Sequence, residues 1–408
     1  MTILEELGKK KVWEEFRTSK QERGQLTVQE SRELDRFIAE ERYVPIADGL
    51  SFGLPVKMVI SKMDSQKKRT VYSYSEDETW VLKLLAHLLY RYDSAIPDSC
   101  YSFRRTKTAK HAITRIKRIK NLNEKYVLRT DIHDYFNSID VDILMPVLKN
   151  VLSDDSELLR FVERLLRQDA CIWQGEVINE KRGAMAGVPL ASFLANVYLM
   201  DLDSFFERND IPYCRYSDDI IAFFDSMEEL NHYYEIMKQK LAEKHLILNE
   251  KKTATAGPGE PWEFLGFRYQ KGQIDLSNGT IMKMKGRIKR KAHKLYRWRK
   301  RKDASFERAA SAMIRSFDYR FYDLTGKNEF TWTRFYFPVI TVADGLHEID
   351  EYMVMYLRYL YSGRFSKVNY DVSYEKLKSL GYTPLVAEYY NWKKETELLR
   401  KLNDKTDE

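Results

Sequence analysis

Along most of this chain apolar residues recur every three or four positions, and they alternate with polar ones only in a few short runs, so helices should outnumber strands. Residues 1–40 are highly charged with apolar positions at helical spacing, and read as a leading helical segment. "LPVKMVISKM" reads as a strand. "SEDETWVLKLLAHLLYRY" opens with a capping box, Ser75 with Glu78 three residues on, and continues as an apolar-striped helix. "KYVLRTD" alternates like a strand that ends at Asp131. Helical patterns fill roughly 140–170 and 190–208, and "PYCRYSDDIIAFF" reads as two short strands joined by a turn. "SMEELNHYYEIMKQKLAEKHL" is a further helix, followed by a strand near 246 and a short strand, "WEFLGFRY", at 262–269.

The pattern changes near 283. "KMKGRIKRKAHKLYRWRKRK" (283–302) carries twelve Lys or Arg in twenty positions and no acid. Met284, Ile288, Ala292 and Leu295 still recur at helical spacing, which predicts a helix with one buried stripe and a basic outer surface. The remainder, 303–402, is helical and rich in aromatics, and 403–408 read as a tail.

Composition narrows the class. A chain of 408 residues is long for one core, so about two or three sub-domains are expected. The net charge of +7 is mild overall and concentrated in the basic helix. Three scattered cysteines support neither a disulfide framework nor a thiolate zinc site, and no apolar run reaches membrane-spanning length. A reduced, cytoplasmic protein without a membrane partner is expected.

The candidate chemistry is acidic. Asp131 ends one predicted strand, and Asp218 and Asp219 lie at the turn after "YCRY". If these strands are neighbours, three carboxylates converge at one sheet edge. Such a cluster is costly unless hard divalent cations occupy it, and oxygen ligands favour magnesium or manganese. Two such ions can activate an attacking 3′-hydroxyl and stabilise a leaving pyrophosphate. An Asp-Asp pair is also common in plain turns, and Asp154–Asp155 is a second example in the same chain.

Read together, "TDIHDYFNSID", "GAMAGVPLASFLANVYLMDLD", "YSDD", "LILNEKKT" and "EFLGF" occur in the order and approximate spacing of reverse transcriptase motifs. Upstream, "CYSFRRTKTAKHAI" resembles the fingers motif that group II intron and related bacterial reverse transcriptases write as Tyr-Gly-Phe-Arg. The resemblance covers about 55–270, and the downstream helices resemble, less specifically, a bacterial reverse transcriptase thumb. It implies an α+β, right-hand polymerase fold: an N-terminal helical segment (1–54), fingers and an antiparallel palm (55–270), and a helical thumb (271–402).

Residue by residue, the resemblance implies metal ligation by Asp131, Asp218 and Asp219, with the carbonyl of Ile132 as a minor extra ligand for two Mg2+ ions, or Mn2+. Phe136 matches the aromatic steric gate, whose ring fills the space of a ribose 2′-hydroxyl; the plainer reading is a core aromatic. Gly187 and Pro189 match the loop beneath the incoming nucleotide, where a missing Cβ permits close approach. Here the chain departs from the pattern: Ala186 replaces the usual Gln, and "LASF" the usual Ser-Pro. Ser192 and Asn196 stay as polar members of the following helix.

Lys62 and Arg69 match the basic strand that grips triphosphate, and Lys252 a lysine that protonates pyrophosphate; each also reads as an ordinary surface cation. Arg104, Arg105, Tyr216 and the primer-grip residues Phe264, Leu265 and Gly266 would line the nucleic acid. In the basic helix, Lys289, Arg290, Lys294, Arg297 and Trp298 are the candidates for phosphate tracking and base stacking, with Tyr296 beside them.

The implied activity is RNA-directed DNA polymerisation from dNTPs on an RNA template, giving a DNA product. Competing readings are a maturase or RNA-binding scaffold that keeps the fold without catalysis, and a template-independent or protein-primed polymerase. Retron signatures and a Cys- or His-rich endonuclease are not found, so the chain looks most like the stand-alone, defence-associated reverse transcriptases of bacteria. That placement implies a structured noncoding RNA as partner.

Overall fold

The alternating stretch Tyr126–Asp131 (β3) and the apolar run Asp219–Phe224 (β7) lie side by side as antiparallel strands in the computed structural model. The structure describes residues 2–49, 51–61, 68–322 and 331–406. The chain divides into two compact units, Met1–Pro258 and Gly259–Glu408.

In the first unit, the main sheet runs β6-β7-β3-β8, all antiparallel, with β6 at Tyr213–Tyr216 and β8 at Ala254–Ala256. Ile220, Ile221, Ala222 and Phe223 are fully buried, so β7 is a central strand covered on both faces. Each large apolar side chain so enclosed contributes about 1.5–3 kcal/mol. A second sheet, β2-β1-β4-β5, is formed by Val56–Ser61 (β1), Lys68–Ser73 (β2), Ala170–Trp173 (β4) and Glu176–Asn179 (β5). The β4–β5 hairpin turns at Gln174-Gly175, both at positive φ, a signal that the hydrophobic pattern alone does not carry.

Helices pack around these sheets. The helix Glu76–Leu88 opens on the expected Ser75/Glu78 capping box. Three helices between Ile3 and Ala39 bury Trp13, Phe16 and Phe37. The segment near 246 is not a strand; after the helix Met227–Ala242 it makes a single bridge, Ile132 to Leu248.

The second unit starts with a three-stranded sheet, Trp262–Phe264 (β9), Phe267–Gln270 (β10) and Gln273–Leu276 (β11). Residues 262–269, expected as one strand, are therefore a hairpin. Leu265 (φ 50°) and Gly266 (φ 87°) form its two-residue turn, and the left-handed backbone at both positions breaks the alternation. Helices follow, chiefly Asn278–Lys302, Phe306–Phe321, Asp344–Ser362 and Leu385–Thr406. The last of these continues through residues read as a tail. Among the described residues no helix is long and apolar enough to cross a membrane.

Candidate active site

β3 and β7 are in register such that Asp131 faces Asp219 directly. A two-residue turn, Ser217-Asp218, joins β6 to β7, and the carbonyl of Asp218 accepts the Ile132 N–H at 3.1 Å. All three acids therefore gather at one end of the sheet, as the sequence implied. The other acidic pair behaves differently. Asp155 caps the helix Ser156–Arg167 and Asp154 accepts the Tyr92 hydroxyl, so both have structural partners.

Asp131 is 3% exposed. Its Oδ2 is paired with the Lys252 ammonium, while its buried Oδ1 has no hydrogen-bond partner. An enclosed carboxylate oxygen without a donor costs about 1–3 kcal/mol, a penalty that a cation would remove. Asp219 is half-buried; burial raises its pKa, the Asp218 charge raises it further, and Arg129, with Nη2 3.9 Å from Oδ1, opposes the shift. The carbonyl of Ile132 is not used by the Ile132–Leu248 bridge, whose hydrogen bonds run through Asp131 O and His133 N. Among the described residues, no three Asp, Glu, His or Cys side chains stand close enough to form a finished ion cage. The hard oxygen donors and the orphaned Oδ1 nevertheless fit a divalent cation in kind.

An aromatic group adjoins the acids. Phe136, in the short helix Tyr135–Ser138, has Phe103 at 6.3 Å between ring centroids, and Phe103 in turn is 6.5 Å from Tyr216. The Arg69 guanidinium, on β2, lies 5.8 Å from the Phe136 ring centre. Arg69, Phe136, Tyr216, Lys252 and the acids thus belong to one unit and one neighbourhood. Lys62 lies outside the described residues.

The loop before the helix Ala191–Tyr198 is held between that aromatic group and β2. A Cβ on Gly187 (φ 100°) would stand 2.9 Å from the Tyr72 carbonyl oxygen and 3.2 Å from Val71 Cβ. The close approach that requires glycine is therefore to the β2 backbone. Ala186 is buried, accepts from Tyr72 N at 2.8 Å and donates to Asn137 Oδ1 at 3.1 Å. A glutamine in its place would have to bury an amide. Pro189, two residues after Gly187, is half-buried.

Arg104 is placed differently from expectation. Its guanidinium donates to the carbonyls of Pro97, Cys100 and Asp93, which makes it a staple of its own loop; the Pro97 and Asp93 carbonyls also accept from the backbone N–H groups of Cys100 and Ile96, each at 3.2 Å. Arg105 is exposed beside it.

In the second unit, Phe264 is buried and Leu265-Gly266 are the hairpin turn described above. A Cβ on Gly266 would meet the Tyr336 hydroxyl at 2.9 Å. The basic segment is helical and buries Ile281, Met284, Ile288 and Ala292; Leu295 is only partly covered. Lys285 pairs with Glu348, and Arg299 donates to the carbonyls of Leu360 and Tyr361, closing the end of the helix Asp344–Ser362. Tyr296 donates to the Ser362 carbonyl, so it too is engaged internally. Lys289, Arg290, Lys294 and Arg297 are exposed. Lys294, Arg297, Trp298 and Arg301 line a groove of about 540 Å³, with Arg308 against the Trp298 ring.

Four residues at the site escaped the sequence reading. Phe103 carries the Phe of the Tyr-x-Phe-Arg-like motif, and Asn137 follows the gate position and ties Ala186 N to the Thr70 carbonyl. Arg215 and Asp203 form a fully buried pair; a lone charge inside "YCRY" was the available signal.

Comparison with known proteins agrees with the motif reading. The family model described as reverse transcriptase (RNA-dependent DNA polymerase) matches residues 60–269. No curated protein sequence matches the chain. Among solved structures, apo telomerase from Candida tropicalis truncated from its C-terminal domain matches at 14% identity and TM-score 0.43, covering 55% of this chain and 55% of that one. Telomerase from Candida albicans in complex with a TWJ fragment of telomeric RNA matches at 13% identity and TM-score 0.43, covering 80% and 62%. Apo telomerase from Candida tropicalis matches at 12% and 0.43, covering 81% and 64%. The chain thus spans 55–64% of the length of these solved chains.

Proposed function

The chain belongs to the reverse transcriptase family, and from that premise we propose that it is an RNA-directed DNA polymerase that extends a 3′-hydroxyl with dNTPs. The observation that carries this reading is the direct pairing of Asp131 with Asp219, beside an Asp131 oxygen that is buried and unpartnered. Asp131, Asp218 and Asp219, with the Ile132 carbonyl, would hold divalent cations. Bound there, Mg2+ or Mn2+ would lower the pKa of the primer hydroxyl and neutralise charge on the triphosphate. Phe136 would exclude the ribose 2′-hydroxyl. Arg69 would orient the triphosphate, and Lys252 would hold a proton for the leaving pyrophosphate.

The partner in this reading is a structured noncoding RNA that also serves as template, within a stand-alone bacterial system of anti-phage defence. The exposed cations of the helix Asn278–Lys302 support an RNA partner, because a row of guanidinium and ammonium groups matches a phosphate backbone. Sequencing the nucleic acids that co-purify with wild-type protein and with Asp218→Asn plus Asp219→Asn tests it. One RNA enriched with both proteins, and complementary DNA with the wild type alone, is the expected result. Wild-type protein with no enriched RNA would refute the dedicated partner.

A further inference from the structure

Arg215 and Asp203 have no solvent exposure at all. Arg215 Nε donates to Asp203 Oδ1 at 2.8 Å and Nη2 to Oδ2 at 2.5 Å, and the Tyr213 hydroxyl also donates to Oδ1, at 3.1 Å. Taking an ion pair wholly out of water is an unfavourable way to fill a core, since well-packed apolar residues of similar volume often match or exceed its stability. Stability alone does not account for it.

The same guanidinium makes contacts that no apolar side chain can make. Nη1 donates to the Ser217 carbonyl and Nη2 to the Asn196 carbonyl, each at 3.3 Å. Ser217 is the first residue of the two-residue turn that carries Asp218, and its φ of 61° is a strained, left-handed conformation for a residue with a side chain. Such strain persists only where the surroundings enforce it. The Arg215 backbone also accepts from Tyr101 N and donates to Ser99 O, both at 2.9 Å, which fixes the segment leading to Phe103. Asn196 holds that segment too, donating to the Ser102 carbonyl at 2.8 Å. One buried cation therefore joins the turn to the helices Ala191–Tyr198 and Met200–Arg208, while the Arg215 backbone and the Asn196 side chain tie in the 99–103 segment.

We infer that Arg215, clamped by Asp203, is a positioning residue that holds the Ser217-Asp218 turn in the conformation the carboxylates need, an inference that rests on the polymerase reading above. Small displacements matter at such a site: a misplacement of about 1 Å costs about 10²-fold in rate.

The test compares the wild-type 408-residue chain with two variants. Asp203→Leu, Tyr213→Phe, Arg215→Met together replace the network by apolar groups of similar shape. Arg215→Lys keeps a cation against Asp203 and loses the fork that reaches Ser217. Mn2+ binding is read by electron paramagnetic resonance with a primer–template whose end lacks the 3′-hydroxyl, and primer extension is measured separately. Both variants should bind Mn2+ more weakly and extend more slowly, the triple variant by about tenfold or more in each, with an unchanged dNTP KM and a native circular dichroism spectrum. Wild-type Mn2+ affinity and kcat in a folded triple variant would overturn the inference. If the triple variant does not fold, Arg215→Lys decides by the same two measurements. A wild-type chain that neither binds Mn2+ nor extends any primer would instead refute the polymerase reading.

Discussion

Lys252 holds one carboxylate oxygen of Asp131 while the other, enclosed in the protein, has no partner. In the absence of metal the lysine thus acts as the counterion of this acid. Lys252→Met should tighten Mn2+ binding by about fivefold or more, because the Asp131 carboxylate is almost out of water and its pairing with the lysine, which the ion must displace, is worth at least the roughly 1 kcal/mol of a surface ion pair. It should also slow primer extension by about 10²-fold if the ammonium supplies a proton. Unchanged extension would remove Lys252 from the reaction.

The raised pKa of Asp219, caused first by burial and then by Asp218, has a consequence for stability. The folded state favours the protonated acid, so stability is fully present below the ordinary aspartate pKa and is lost as pH rises through the raised value. Without divalent ions, Asp219→Asn should therefore melt above wild type at pH 7, and the gap should close below about pH 4. Adding Mg2+ should raise the melting temperature of the wild type and not of the variant. Thermal scans across pH check both statements.

Phe136 has both the Phe103 ring and the Arg69 guanidinium as neighbours. Phe136→Ala should raise rNTP incorporation relative to dNTP by about tenfold or more, since it opens room for one hydroxyl. Phe103→Ala, which removes the neighbouring ring, should move selectivity the same way by less. Single-nucleotide extension assays measure both, and a wild-type enzyme that already uses rNTPs well would contradict the gate.

Gly187 has a left-handed backbone and lies against Tyr72 and Val71. Gly187→Ala should destabilise the first unit by about 1–3 kcal/mol, read from urea unfolding. Ala186→Gln should also destabilise, because the restored amide would be buried. A stable, more active Ala186→Gln variant would show that the pocket accommodates the amide after all.

Local signals carried far in this chain. The capping box at Ser75, the strand ending at Asp131 and the hairpin around Ser217-Asp218 all follow from spacing and residue type, and all are present. The stripe of the basic helix was legible for Met284, Ile288 and Ala292, where helical periodicity and burial coincide. What escaped depends on contacts across long sequence separations. Nothing near Arg215 announces Asp203 twelve positions earlier, nor the Ser217 and Asn196 carbonyls that use its fork. Arg104 reads as a free cation until the fold brings three carbonyls to it. Leu265-Gly266 was misread because leucine seldom adopts positive φ, and only the paired strands on either side force it to.

The most direct test of the central claim is dNTP incorporation on a defined RNA template with an annealed primer, with Mg2+ present. Wild-type protein should extend the primer by template-directed addition, and Asp131→Asn and Asp218→Asn should each lose activity by several orders of magnitude while keeping their fold. Extension that persists in those variants, or that ignores the template sequence, would contradict it.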